Sequence, residues 1–166
     1  RAIVNIESST VTIENCDGNG ISWGGRPNNG YNQLNITDST VTIDNCAARN
    51  SDGGGGIIGT FDIEVTRSTL TVTNNKSYGS NGSNYFIDDS TVTYSNNGTH
   101  GLSATDLEIV NGSKVTADNN GYYGVYASSA FLVDSTSTLT VTRNSGSGDC
   151  AGLKLTSGVT DGKVED

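Results

Sequence analysis

Apolar residues fall at every second position in short bursts along this chain, with Thr filling most of the gaps. Val11 and Ile13 alternate with Thr10, Thr12 and Glu14, and close copies of Ser9–Cys16 occupy Ser39–Cys46, Ser68–Asn75, Ser90–Asn97, Ser113–Asn120 and Ser137–Asn144. A period of two marks a strand with one buried and one wet face, because successive side chains point to opposite sides of the pleat. The leading residues Ser9, Ser39, Ser68, Ser90, Ser113 and Ser137 lie 30, 29, 22, 23 and 24 residues apart. Recurrence at such intervals, with the length variation gathered in one place, predicts a solenoid.

Each copy is preceded by a second alternating pair: Val4-x-Ile6, Leu34-x-Ile36, Ile63-x-Val65, Tyr85-x-Ile87, Leu107-x-Ile109 and Phe131-x-Val133. A third, shorter strand follows as a Gly-apolar pair at Gly20-Ile21, Gly56-Ile57, Gly101-Leu102, Gly124-Val125 and Gly152-Leu153, with a degraded copy near Tyr78-Gly79. The expectation is an all-β single domain over 1–166, a parallel solenoid of about six coils of three short strands. Stacked in register about 4.8 Å apart, the copies bury Val11, Val41, Leu70, Val92, Val115 and Leu139 in one column. Ile13, Ile43, Val72, Tyr94, Ala117 and Val141 form the next. Burial at roughly 1.5–3 kcal/mol per side chain offsets backbone ordering only when neighbours cover both faces of a coil, so one coil alone should not fold. Asn15, Asn45, Asn74, Asn96 and Asn119 share a register after the strand, where an amide can bond its equivalent one coil away and accept a tight turn; Arg143 interrupts that column.

The coil length, the three strands, the Asn turn and the pattern Asn-Asn-Gly-x-x-Gly-apolar at 96–102 and 119–125 resemble a known family. It is the right-handed, single-stranded parallel β-helix of the pectin-lyase-like superfamily, in particular the Thr/Asn-rich forms of bacterial and archaeal adhesin-like surface proteins. The resemblance covers nearly the whole chain. It implies a fold more than a function, because that scaffold hosts polysaccharide lyases, glycosidases, phage tailspikes and adhesins. It also implies that an enzyme of this type would group acids and bases from neighbouring coils on one exposed sheet, or bind Ca²⁺ there through stacked Asp.

Composition narrows the partners. Only 33% of residues are hydrophobic and 22 are Gly, which suits a thin core better than a thick one. A net charge of −9, with 9 Lys plus Arg, repels phosphate backbones and anionic lipid surfaces, so nucleic acid is not an expected partner. No apolar run approaches the roughly 20 residues of a membrane span, so membrane insertion is not expected either. The chain enters strand alternation at Arg1 and its last residues supply no amphipathic cap. It therefore reads as a piece of a longer secreted or cell-surface protein whose open ends meet further coils or another subunit.

Catalytic groups are sparse. The outward positions beside the third strand are Ser22, Ile58, Ser103, Tyr126 and Lys154, with no carboxylate pair among them. Glu64 and Glu108 share a register on the second strand, but Phe86 stands between them, two coil rises or roughly 10 Å apart and slightly beyond the inverting-glycosidase window. Solvated strand charge is the expected role. Asp88-Asp89, at a bend, could form one side of a Ca²⁺ site, which takes about six to eight oxygens; otherwise no cofactor is expected. His100, the single His, lacks the Cys or second His of a zinc set.

Three other patterns point to surfaces. Trp23, Tyr31, Tyr78, Tyr122, Tyr123 and Tyr126, with His100, gather around the third strand and its loops, where a ridge of rings would stack on sugar faces. Thr10/Thr12, Thr40/Thr42, Thr69/Thr71, Thr91/Thr93, Lys114/Thr116 and Thr138/Thr140 form an outward grid. That grid resembles the flat Thr arrays of β-solenoid ice-binding proteins, although Thr also simply suits an exposed strand. Cys16 and Cys46 share a register on adjacent coils, within geometric reach of a disulfide, and would equally serve as small buried thiols; Cys150 has no evident partner. The sequons at Asn35, Asn75, Asn81, Asn97 and Asn111 read as solvated turns. Together these features lead us to expect a non-catalytic, adhesin-like stalk or carbohydrate-binding module. A polysaccharide lyase or glycoside hydrolase and an ice-binding solenoid are the alternatives.

Overall fold

The computed structural model describes residues 2–23, 32–46, 55–59, 61–145, 152–156 and 162–163. Every described element is a strand. The first rung holds β1 (Ile3–Glu7), β2 (Thr10–Glu14) and β3 (Ile21–Ser22), and the second β4 (Asn32–Thr37), β5 (Thr40–Asp44) and β6 (Ile57–Ile58). The third holds β7 (Phe61–Thr66), β8 (Thr69–Thr73) and β9 (Ser80–Asn81), and the fourth opens with β10 (Asn84–Asp88) and β11 (Thr91–Ser95). β12 (Leu102–Val110), β13 (Lys114–Asp118), β14 (Val125–Val133), β15 (Thr138–Thr142), β16 (Leu153–Leu155) and β17 (Gly162–Lys163) complete the stack. Every pairing is parallel and joins a strand to its counterpart one rung away, a solenoid-like arrangement.

The repeated sentence pairs as the period-two pattern predicts. Val41 faces Val11 and Leu70, Val92 faces Leu70 and Val115, and Leu139 closes the column. Leu34, Ile63, Tyr85, Leu107 and Phe131 form a second column, and Ile57, Ser80, Leu102 and Val125 a third. The short third strand of the third rung is Ser80–Asn81, so a buried Ser interrupts an aliphatic column. Its Oγ lies 2.6 Å from the Tyr85 hydroxyl. Tyr94, also fully buried, sits between Val72 and Ala117, whose small side chain leaves room for the ring.

In the later rungs the three short strands per coil expected from the sequence become two, because the third strand runs on into the next first strand. β12 and β14 each run unbroken through both ladders, with a register shift where Ala104 and Asp106 pair with Ala127 and Ala130. Two residues, Ser128 and Ser129, thus oppose Thr105 alone, a bulge that turns the strand without ending it.

The turns are held by side-chain ladders. Asn15, Asn45, Asn74, Asn96 and Asn119 adopt left-handed φ of 52–57°, and Arg143 does the same at 52°, so the missing Asn does not disturb the backbone. Arg143 instead pairs with Asp118. Amide bonds link Asn45 to Asn15 (2.8 Å) and Asn119 to Asn96 (2.6 Å), while Asn74 turns to Asp44. The buried ladder lies one residue further on. Asn75, Asn97 and Asn120 each donate to the Oδ1 of the next rung's Asn at 2.9–3.0 Å, ending at Asn144. That overturns the solvated-turn reading at Asn75 and Asn97, which are only 2% and 1% exposed. The invariant Ser forms another ladder, because each Oγ from Ser39 to Ser137 accepts the backbone N–H of the preceding rung's Ser at 3.0–3.1 Å.

Candidate functional site

The residues just before the third strands stand in one column. Gly56 N–H donates to Tyr78 O, Gly79 N–H to His100 O and Gly101 N–H to Tyr123 O, at 2.9–3.0 Å. Gly is required after each, since a Cβ at Gly79 would lie 2.5 Å from the Gly101 carbonyl oxygen and one at Gly101 2.6 Å from that of Gly124. Backbones pressed this closely bring the preceding rings to rung spacing. Tyr78 stacks on His100 at 4.8 Å with planes 16° apart, and Tyr123 meets His100 edge-on at 5.2 Å.

Tyr122 and Tyr126 complete the cluster at 5.1 and 6.0 Å from His100. Tyr122 contacts Tyr123 at 4.3 Å, and Tyr126 stacks beside Tyr123 at 6.1 Å. His100, expected at the ridge without a metal-binding partner, is its hub. Burial lowers its pKa, so the imidazole is neutral at neutral pH. Its Nδ1 is buried without a hydrogen-bond partner. All five residues are half-buried.

Trp23 does not join them. It follows β3 in the first rung, is 41% exposed, and its N–H donates to Ile58 O at 3.2 Å. Tyr31 and Cys150 lie outside the described residues. Cys16 and Cys46 are free thiols, each 3.7 Å from the carbonyl oxygen two residues before it. Burial first, and then the neighbouring Cys16 thiol, push Cys46 up to about 11.

The outward third-strand column runs Ser22, Ile58, Asn81, Ser103, Tyr126, Lys154 and carries no acid pair. The Asp88 carboxylate accepts from Asn111 Nδ2 at 2.6 Å, and among the described residues no group of three His, Cys, Asp or Glu is placed to hold a metal ion.

The outward grid keeps its register across the whole sheet, with Lys114 as its one non-Thr position. Thr10, Thr40, Thr69, Thr91, Lys114 and Thr138 pair in one row, and Thr12, Thr42, Thr71, Thr93, Thr116 and Thr140 in the other.

The Glu64–Phe86–Glu108 register, expected as solvated strand charge, lies in a groove. The outer face of β4, β7, β10, β12 and β14 forms a groove of about 480 Å³ bordered by Gln33, Asn35, Asp62, Glu64, Asn84, Phe86, Asp106, Glu108, Ala130 and Leu132. The outward apolar Phe86, within Tyr85-Phe86-Ile87, is the residue that sets this register apart from plain strand charge. Compared with family models, curated proteins and solved structures, the chain finds no match.

Proposed function

We propose that this chain is a right-handed parallel β-helix of the pectin-lyase-like type. In this reading it is a non-catalytic module of a secreted or cell-surface adhesin-like protein, and its third-strand face binds carbohydrate. One observation carries the reading: Tyr78, His100 and Tyr123 are spaced rung by rung, with Tyr122 and Tyr126 against them. Half-exposed rings offer π faces to sugar C–H groups, phenol hydroxyls offer polar contacts to the sugar rim, and a neutral imidazole suits an uncharged ligand. Parallel ladders, the left-handed Asn turns and the glycine column support the fold assignment. The lyase or hydrolase alternative lacks an acid pair along the same column.

A glycan array with the native chain, Tyr78→Ala and Tyr123→Ala tests the proposal. Losing one stacked ring at about 0.5–1.5 kcal/mol beyond its buried area predicts roughly a two- to tenfold weakening per variant. An array without binding, or variants that bind as well as the native chain, would overturn it.

The in-register Thr rows, one of them broken only by Lys114, favour a second reading, an ice-binding face on the six-stranded sheet. Thermal hysteresis that Thr42→Lys and Thr93→Lys abolish would establish that reading; absence of hysteresis in the native chain removes it.

A further inference from the structure

The groove over β7, β10 and β12 lies on a different ladder from the aromatic ridge, and its chemistry is different. Phe86 pairs with Glu64 on one side and Glu108 on the other, so one half-exposed ring stands between two carboxylate-bearing positions, each about 4.8 Å away. One step back along the strands, Asn84 Nδ2 ties down Asp62 at 2.8 Å and Ala130 N–H ties down Asp106 at 3.0 Å. Glu64 takes only a long 3.5 Å bond from the Thr66 hydroxyl. Among the described residues lining the groove there is neither Lys nor Arg.

We propose that this groove receives an arginine side chain from an extended segment of a protein partner, with the guanidinium lying over Phe86 between Glu64 and Glu108. A guanidinium is planar. It can stack on a phenyl face while its in-plane N–H groups reach carboxylates on both sides. An ammonium, a compact point charge, meets the ring or one carboxylate well, but not all three groups at once. A neutral sugar would desolvate two carboxylates without supplying a counter-charge. Next in the column, Leu132 offers apolar surface to the arginine stem or a neighbouring apolar residue of the same segment.

The test measures fluorescence anisotropy of a labelled Gly-Arg-Gly-Arg-Gly peptide, its Lys counterpart and a labelled glucosamine oligomer at physiological salt. The proteins are the native chain, Phe86→Leu, Tyr123→Ala and the double variant Glu64→Gln/Glu108→Gln. The Arg peptide should bind several-fold tighter than the Lys peptide. The double variant should weaken it by about tenfold or more, as expected for charge-assisted hydrogen bonds. Phe86→Leu should erase the Arg preference, and Tyr123→Ala should change nothing, which keeps this result separate from the glycan proposal. Equal affinity for both peptides, unchanged binding by the double variant, or tighter binding of the glucosamine oligomer overturns the inference. Should a variant fail to fold, competition by ethylguanidinium against ethylammonium on the native chain reads the same preference.

Discussion

Ser9-Thr-Val-Thr-Ile13 and Ser39-Thr-Val-Thr-Ile43 are the same five residues in two neighbouring rungs, yet they are buried differently. Val41 and Ile43 are wholly inaccessible, whereas Val11 and Ile13 are only half-buried, and in the same first rung Ile3 remains 55% exposed. β5 has a partner on both sides; β2 lies at the edge of its sheet. At the other edge Leu139 and Val141 are half-buried again. Identical side chains thus contribute different amounts because the hydrophobic term depends on area removed from water, and neighbouring rungs remove it.

The largest expected effect breaks that comparison directly. Ile43→Ala should destabilise by about 2–5 kcal/mol, and Ile13→Ala by less than half as much, read from urea midpoints. Equal losses would mean that the first rung is covered in solution. Next comes the contrast between the two Asn columns. Asn97→Ala removes its amide bonds to Asn120 and Val72 O and the acceptor used by Asn75, stranding buried groups at a cost of about 2–3 kcal/mol. Asn45→Ala, in the exposed column, should cost less than about 1 kcal/mol by the same urea midpoints.

A smaller effect separates the edge thiol from the covered one. The folded Cys46 pKa is raised from 9.0 to about 11, so its contribution to stability is complete below pH 9 and is lost as pH rises toward 11. The melting temperature should fall more steeply over that window in the native chain than in Cys46→Ala, and peptide mapping at pH 8 should show Cys16 alkylated before Cys46. Smallest is the acid limb at the turn between β14 and β15. Hydroxyl donation from Ser137, then the Asn111 N–H, lowers Asp134 from 3.8 to about 2. Its contribution is present above pH 4 and fades as pH falls toward 2; Asp134→Asn should flatten that part of the melting profile.

Much of the fold was legible before any coordinates. Val11, Val41, Leu70 and Val92 announced their column because a strand's side-chain period is a local property. The Asn that ends each strand announced a left-handed turn for the same reason. The expected amide column forms at Asn15–Asn45 and Asn96–Asn119, but the sequence does not announce the second, buried ladder one residue further on, because both members of each Asn-Asn pair have the same local propensity. Only packing selects which amide faces inward. At the candidate site the spacing of Trp23, Tyr78, Tyr122, Tyr123 and Tyr126, with His100, announces a ridge near the third strand, but nothing local puts His100 at its centre or Trp23 apart from it.

The amino-acid order by itself determined which residues form strands, which side of each strand is apolar and where the chain turns, since each of these follows from steric and solvation preferences acting over a few residues. The stack alone decided which distant residues touch. It set rings beside rings at rung spacing, placed Phe86 on the floor of a groove between acids, and closed the core around Val41 while leaving Val11 half-open. Contacts between rungs depend on register and on the closeness of backbones that only the assembled ladders impose.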